Sequence, residues 1–205
     1  MNHGGLGLQR TYGSAEIPVW QGLTKDIQLA QGGFLLDQTN IAVGQIIPAG
    51  TPLVFDEVAR TAVVLSTAVA QANANGTATD YPVLKGHGFR VGDYLASGAT
   101  GGKAYAITAI DTTTYSDKDI ITVGTTIGAV TAGSLLFKST ATGATASALP
   151  NINGCLYAEA VGQFGGISVS AVIRGTAYAK RVPYSAAIAA KLDANGAYII
   201  YSQSL

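Results

Sequence analysis

The sequence predicts a mostly β fold. It reads as a small β-sandwich or barrel-like base domain with one short C-terminal helix, interrupted by an inserted all-β module. Three observations lead there. Glycine occupies 26 of 205 positions, and each costs about 1 kcal/mol in a helix interior relative to alanine. Apolar residues recur in short runs bounded by turn formers, the pattern of strands rather than helices. One segment alone carries helix caps.

Along the chain, residues 1–40 read as an extended arm and short strands, because Gly4, Gly5, Gly7, Gly13 and Gly22 interrupt any helix. Pro18 offers no backbone donor, so Ile17-Pro-Val-Trp20 suits a sheet edge or a docking arm. Gln45 to Asp56 reads as strand, Pro-Ala-Gly turn and strand, and Thr61 to Leu65 as a further strand. Residues 68–79 are small and polar and read as a linker. Tyr81–Lys85, Tyr94–Ala96, Ala104–Ile110, Asp119–Val123 and Ser134–Phe137 are then successive strand candidates, and a second weak segment, Ser139–Ser147, leads out. Beyond it Asn153–Glu159, Gly166–Ile173 and Gly175–Arg181 read as strands. In the second of these Ile167, Val169, Ala171 and Ile173 share one face. Tyr184–Leu192 is the helix, with Ser185 as N-cap and Asn195-Gly196 as its stop, and Ala197–Tyr201 is a final strand. The division is therefore a base domain of residues 1–68 and 147–205 around an insertion of residues 69–146.

Charge narrows the function. Twelve basic and twelve acidic residues give a formal net charge of zero, and only 12% of residues are charged. Such a chain lacks the cationic surface that neutralises phosphates, which argues against nucleic acid. No apolar run is long enough to span a bilayer as a helix, and no basic stretch leads into an apolar one as in a secretory signal. The single cysteine, Cys155, has no intramolecular partner and fits a protein made in a reducing cytoplasm. Weak self-repulsion suits a setting crowded with protein surfaces.

Catalytic, cofactor and metal constellations are not found. His3, His87 and Cys155 fall in separate regions, and His87 sits in a Gly-His-Gly turn where loop geometry explains it. Asp111, Asp117 and Asp119 lack the glycine and terminal glutamate of a calcium loop, which favours a solvated hairpin. Gly124–Gly128 and Gly162–Gly166 open no helix and carry no Gly-Lys-Ser/Thr ending, so neither is a phosphate loop. With Glu16, Glu57 and Glu159 as the only glutamates, a paired-carboxylate glycosidase is disfavoured. Tyr81, Tyr94, Tyr105 and Tyr115 are strand residues first and contact residues second.

An ordered series of motifs nonetheless stands out. It runs from Arg10-Thr-Tyr-Gly13 through Ile47-Pro-Ala-Gly-Thr-Pro-Leu-Val-Phe-Asp56 and Lys85-Gly-His-Gly-Phe-Arg-Val-Gly-Asp-Tyr94. It continues in Asp119–Gly128 and Ala132–Phe137, and ends in Val169–Tyr178, Arg181-Val-Pro183 and Ile200–Ser204. The series resembles the head fibre proteins of tailed bacteriophages, particularly phages of gut Bacteroidetes, and its outer segments are similar to lambda-type head decoration proteins. The resemblance covers nearly the whole chain. It implies a structural virion protein without enzymatic activity or cofactor, made in the bacterial cytoplasm and bound to the outer capsid surface. Its implied partners are the major capsid protein and other copies of itself. On that basis Arg10, Tyr12, Ile17 and Trp20 of the Gly-rich arm are the candidate capsid contacts, and residues 69–146 form a projecting module. The alternative is an adhesin-like module that binds host-surface or mucus glycans through exposed tyrosines.

Overall fold

Short apolar runs separated by glycine turns fold here into a computed structural model that describes residues 18–22 and 26–203. The mostly β fold class is as the sequence predicts. The strands are β1 (Trp20–Gln21), β2 (Gln28–Leu29), β3 (Phe34–Leu36), β4 (Ile46–Ile47), β5 (Pro52–Asp56) and β6 (Thr61–Val64). Then follow β7 (Thr67–Val69), β8 (Asp80–Leu84), β9 (Tyr94–Ser97), β10 (Ala104–Asp111), β11 (Lys118–Val123) and β12 (Leu135–Ser139). The chain closes with β13 (Gly154–Leu156), β14 (Ala160–Val161), β15 (Ser168–Val169), β16 (Ala171–Tyr178), helix α1 (Ala186–Ala194) and β17 (Tyr198–Ser202).

The base is a nine-stranded sheet with the path β1-β16-β13-β5-β6-β3-β15, to which β2 and β17 add along β16; β14 and β4 pair separately. Strand β16 is its hub. Val172 pairs with both Cys155 and Leu29, Arg174 with both Tyr198 and Gln28, and Ala177 with both Trp20 and Tyr201. A strand has two edges, so β13 and β17 share one edge of β16 while β1 and β2 share the other. With both edges occupied, Ala171 and Val172 on opposite faces are each fully buried.

The sequence reading places a strand boundary at Gly175; the structure moves it to Ser170. Up to Val169 the chain pairs with β3, and at Ser170 the carbonyl accepts from Tyr157 N–H (2.9 Å), where the pairing with β13 begins. Gly175 instead lies mid-strand because the Trp20 ring covers it, with Cε3 3.6 Å from where a Cβ would be. Helix α1 follows its caps: the Ser185 hydroxyl accepts from Ile188 N–H (3.2 Å), and Ile188 and Leu192 are buried. Gly196, at φ +82°, lets Ala197 N–H reach back to Leu192 O (2.9 Å).

Residues 67–139 build a second sheet, in the order β7-β12-β9-β10-β11-β8. It curls until its end strands meet at one bridge, Ala70↔Val83, leaving a barrel open along one seam. Tyr81, Val83, Leu95, Ile107, Ile121 and Leu136 fill it. The linker reading of residues 68–79 is corrected here. Ala68, Ala70 and Ala74 are buried in that core, their small side chains fitting where the sheet closes, and Asn73 Oδ1 caps Ala132 N–H (2.8 Å). The second weak segment is likewise ordered, held by two buried serines. Ser139 Oγ accepts from Ala148 N–H (3.0 Å), and Ser147 Oγ accepts from Gly102 N–H (2.8 Å).

Base and barrel share a core. Leu65, Ala96, Leu135 and Phe137 pack with Leu149, Ile152, Cys155, Ile188 and Leu192 in one cluster. The consequence is a single cooperative unfolding transition for the whole chain. Phe137→Ala should cost about 3–5 kcal/mol, the range for deleting a buried aromatic, and should shift that one transition in calorimetry. Two resolved transitions, with only one displaced, would refute the shared core.

Candidate functional site

Two features stand out among the described residues, a braced surface loop of the base and a cleft between base and barrel. The first is the loop Gly162–Gly166. Gly162 is admitted only because it has no side chain: a Cβ there would run into the carbonyl of Ala42. Its N–H donates to Gln45 O and its carbonyl accepts from Gly44 N–H, both at 2.8 Å. The Gln38 side chain clamps the rest, its amide donating to Gly165 O and its carbonyl accepting from Gln163 N–H at 3.0 Å. On this braced loop the Phe164 side chain is 90% exposed. Leu35, across from Gly166, and Val161, paired with Ile46, are exposed nearby in the chain's fold. An aromatic ring held in water by a rigid loop is a preorganised contact. The sequence reading treats this loop only as a failed phosphate loop, although Gly-Gln-Phe-Gly-Gly, a large apolar residue between glycines, was the available signal.

The second feature is a cleft of about 350 Å³ between base and barrel, with Ile46, Val63, Val69, Leu84, Lys180 and Arg181 among its walls. Val63 to Ser66, the crossing from one sheet to the other, also lines a neighbouring cleft of about 440 Å³. At the wall of the first lies a partly buried cluster. Lys85 Nζ donates to Asp119 Oδ1 (2.7 Å) and to Thr112 O (2.8 Å). His87 Nδ1 accepts from Phe89 N–H (3.2 Å), which puts the neutral ring's proton on Nε2. That atom lies 3.3 Å from Asp119 Oδ2 but off the line a hydrogen bond needs, so the contact is electrostatic. The sequence reading treats His87 as a turn position and Asp119 as part of a solvated hairpin. Both side chains are in fact buried, because Asp119 sits in β11 with its side chain turned under the Gly-His-Gly turn. Asp111 does cap the hairpin, accepting from Thr113 and Thr114 N–H, and the Thr114 side chain together with those two bonds holds its carboxyl below the usual range.

Arg10, Tyr12 and Ile17 lie outside the described residues. Trp20 is half-buried in β1, donates from Nε1 to Tyr157 O (2.7 Å) and packs on the shared core. Its indole N–H is therefore used within the chain, leaving only ring surface for a partner. Pro18 is held too, its carbonyl accepting from Arg181 Nη1 (2.6 Å). Cys155 is buried, which pushes its thiol up to about 12, and the Tyr201 hydroxyl beside it pulls weakly the other way. A thiol so protonated is a packing group, not a nucleophile. No group of three or more potential metal ligands converges among the described residues. Of the insertion's tyrosines, Tyr81 is buried with its hydroxyl bonded to Ala78 O (2.8 Å), Tyr105 packs on the barrel core, and Tyr115 alone is exposed, with Lys118 over its ring.

Comparison with protein-family models, with curated proteins and with solved structures gave no match.

Burial disfavours the charged imidazolium of His87, and Lys85 adds to this while Asp119 opposes it, so its pKa lies below the usual value. The unfolded chain takes up this proton near pH ~6.5, the folded chain only at lower pH. The stability involved is full above the unfolded value and is lost as pH falls from there through the folded-state value. Thermal melts between pH 7.5 and 5, on the order of that window, should show the midpoint falling with acidification. His87→Gln should flatten that slope, and an unchanged slope would clear His87 of the effect.

Proposed function

We propose that this chain is a structural virion protein, an auxiliary head fibre or decoration protein on the outer surface of a tailed-phage capsid. Its base sheet docks on the major capsid protein and its barrel module faces away from the shell. The motif series supports the family, and the distribution of exposed apolar side chains supports the orientation. Among the described residues fourteen large apolar side chains are exposed, and of these only Leu84, Val91 and Tyr115 belong to residues 69–146. The base carries the others, including Leu35, Val58, Phe164, Tyr198 and Ile200. Scattered apolar residues on a surface are ordinary, but a braced, water-exposed phenylalanine among several others marks a contact face. A glycan-binding module has less support, since the insertion offers one exposed tyrosine rather than an aromatic platform.

The function carried is mechanical: extra contact area added to an assembled shell. With twelve charges of each sign and few ion pairs to screen, attachment should be held by apolar burial. Cryo-imaging of particles made without this protein should show surface density missing at its sites. Phe164→Ser should lower occupancy on particles about tenfold or more, as for an aromatic hot spot, with the melting midpoint unchanged. Raising salt should leave occupancy nearly constant. Particles with unaltered density, or attachment released by moderate salt, would reject the proposal.

A further inference from the structure

The barrel seam is where the fold leaves backbone groups unused. Along β7 the even residues bond to β12: Ala70 N–H donates to Ser134 O (2.9 Å) and Lys138 N–H to Ser66 O (3.0 Å). The odd residues therefore point the other way, toward β8, and Gln71 N–H does donate to Pro82 O (2.8 Å). On β8 the phase is complementary. Val123 N–H donates to Thr79 O (2.9 Å), so Thr79, Tyr81 and Val83 bond to β11 while Pro82 and Leu84 face the seam. The pairing ends at the single bridge Ala70↔Val83. Past it Val69 and Leu84 do not go on to form a ladder pair, nor do Thr67 and Gly86, and all four line the 350 Å³ cleft. The seam thus holds the N–H of Val69, the carbonyl of Leu84 and both backbone groups of Thr67, aimed into a cleft.

The walls and the charge of the cleft define what would fill it. The walls contributed by Ile46, Val63, Val69 and Leu84 are apolar, and Ile46, Val63 and Leu84 are about half exposed. The charge is uneven. Lys85 is neutralised by Asp119, whereas Lys180 and Arg181 form no ion pair among the described residues; Asp37, the cleft's one carboxylate, accepts from Thr39 N–H and hydroxyl. A strand edge demands an extended backbone, apolar walls demand apolar side chains at alternate positions, and surplus cation demands an anion.

We propose that this cleft is a peptide-binding site that takes an extended segment of another protein. The segment is apolar at alternate positions and carries a carboxylate at the end beside Lys180 and Arg181; it adds a strand at the open seam. This holds whether or not the partner is a capsid subunit. The test follows backbone amides of the full chain by hydrogen exchange under NMR. In the free protein the amides of Thr67 and Val69 should exchange much faster than that of Ala68. A pool of hexapeptides, apolar at alternate positions and ending in a free carboxylate, should slow Thr67 and Val69 by about tenfold or more, as for newly hydrogen-bonded edge amides.

The same pool with amidated ends should bind less well, and Lys180→Ala should weaken the carboxylate pool by roughly threefold, the effect of one exposed charge pair. Val69→Pro, which removes a seam-facing N–H as Pro82 already does opposite, should abolish protection at Thr67. A melt confirms that this variant folds. Protection of Thr67 and Val69 in the free chain at all concentrations would mean the seam is already filled and would overturn the proposal. So would protection that rises with protein concentration alone, which would assign the seam to a second copy. Absence of protection by either pool would overturn it as well.

Discussion

Phe137, Leu65 and Ile152 meet where two sheets would otherwise be separate bodies, and the arrangement of the molecule depends on that contact. Leu65 immediately follows β6, Phe137 lies in β12, and Ile152 precedes β13, so one cluster ties the chain's way into the barrel to its way out. Helix α1 closes the cluster from below with Ile188 and Leu192. Burial of this kind is non-directional, yet close packing allows few alternatives once rotamers interlock. It fixes how the barrel sits on the base, and hence which strand edges border the cleft.

The polar interactions answer to the same geometry. In a chain with so few charges, Lys85–Asp119 and Lys138–Asp93 (2.6 Å) both lie at the join between barrel and base rather than on open surface. Partial burial strengthens such pairs and makes breaking one costly. Elsewhere hydroxyls and amides do the work that charges do in other proteins. Asn153 donates to Phe55 O and accepts from Phe55 N–H, both at 2.9 Å, and Asn195 Nδ2 donates to Ile152 O (2.7 Å). Each satisfies backbone that loops would otherwise leave orphaned.

Much of this was legible in the sequence wherever local chemistry decides the outcome. The caps of α1 are Ser185 and Gly196, and nothing distant competes with them. Strands β8 to β12 follow their apolar runs. What could not be read depends on packing partners far along the chain. Ala68, Ala70 and Ala74 look like linker residues because small side chains are equally at home in loops and in tight cores. Gly175 looks like a strand end until Trp20, more than 150 residues earlier, is laid over it. His87 and Asp119 are far apart in sequence and meet only because β8 and β11 are neighbours. Phe164 gives no periodic signal, and its exposure is known only once Gln38 is seen to brace its loop.

The bond from Lys138 N–H to Ser66 O has one more implication. It places the departure and return of the insertion one strand spacing apart, so the base sees the whole excursion from Thr67 to Phe137 as little more than a hairpin. Chain-closure entropy grows only logarithmically with such an excursion. A lineage could therefore exchange the barrel for a longer, shorter or differently shaped cassette without rerouting the sheet beneath. The constraint on any replacement is local: it must bring its own apolar cap for Leu65 and Ile152.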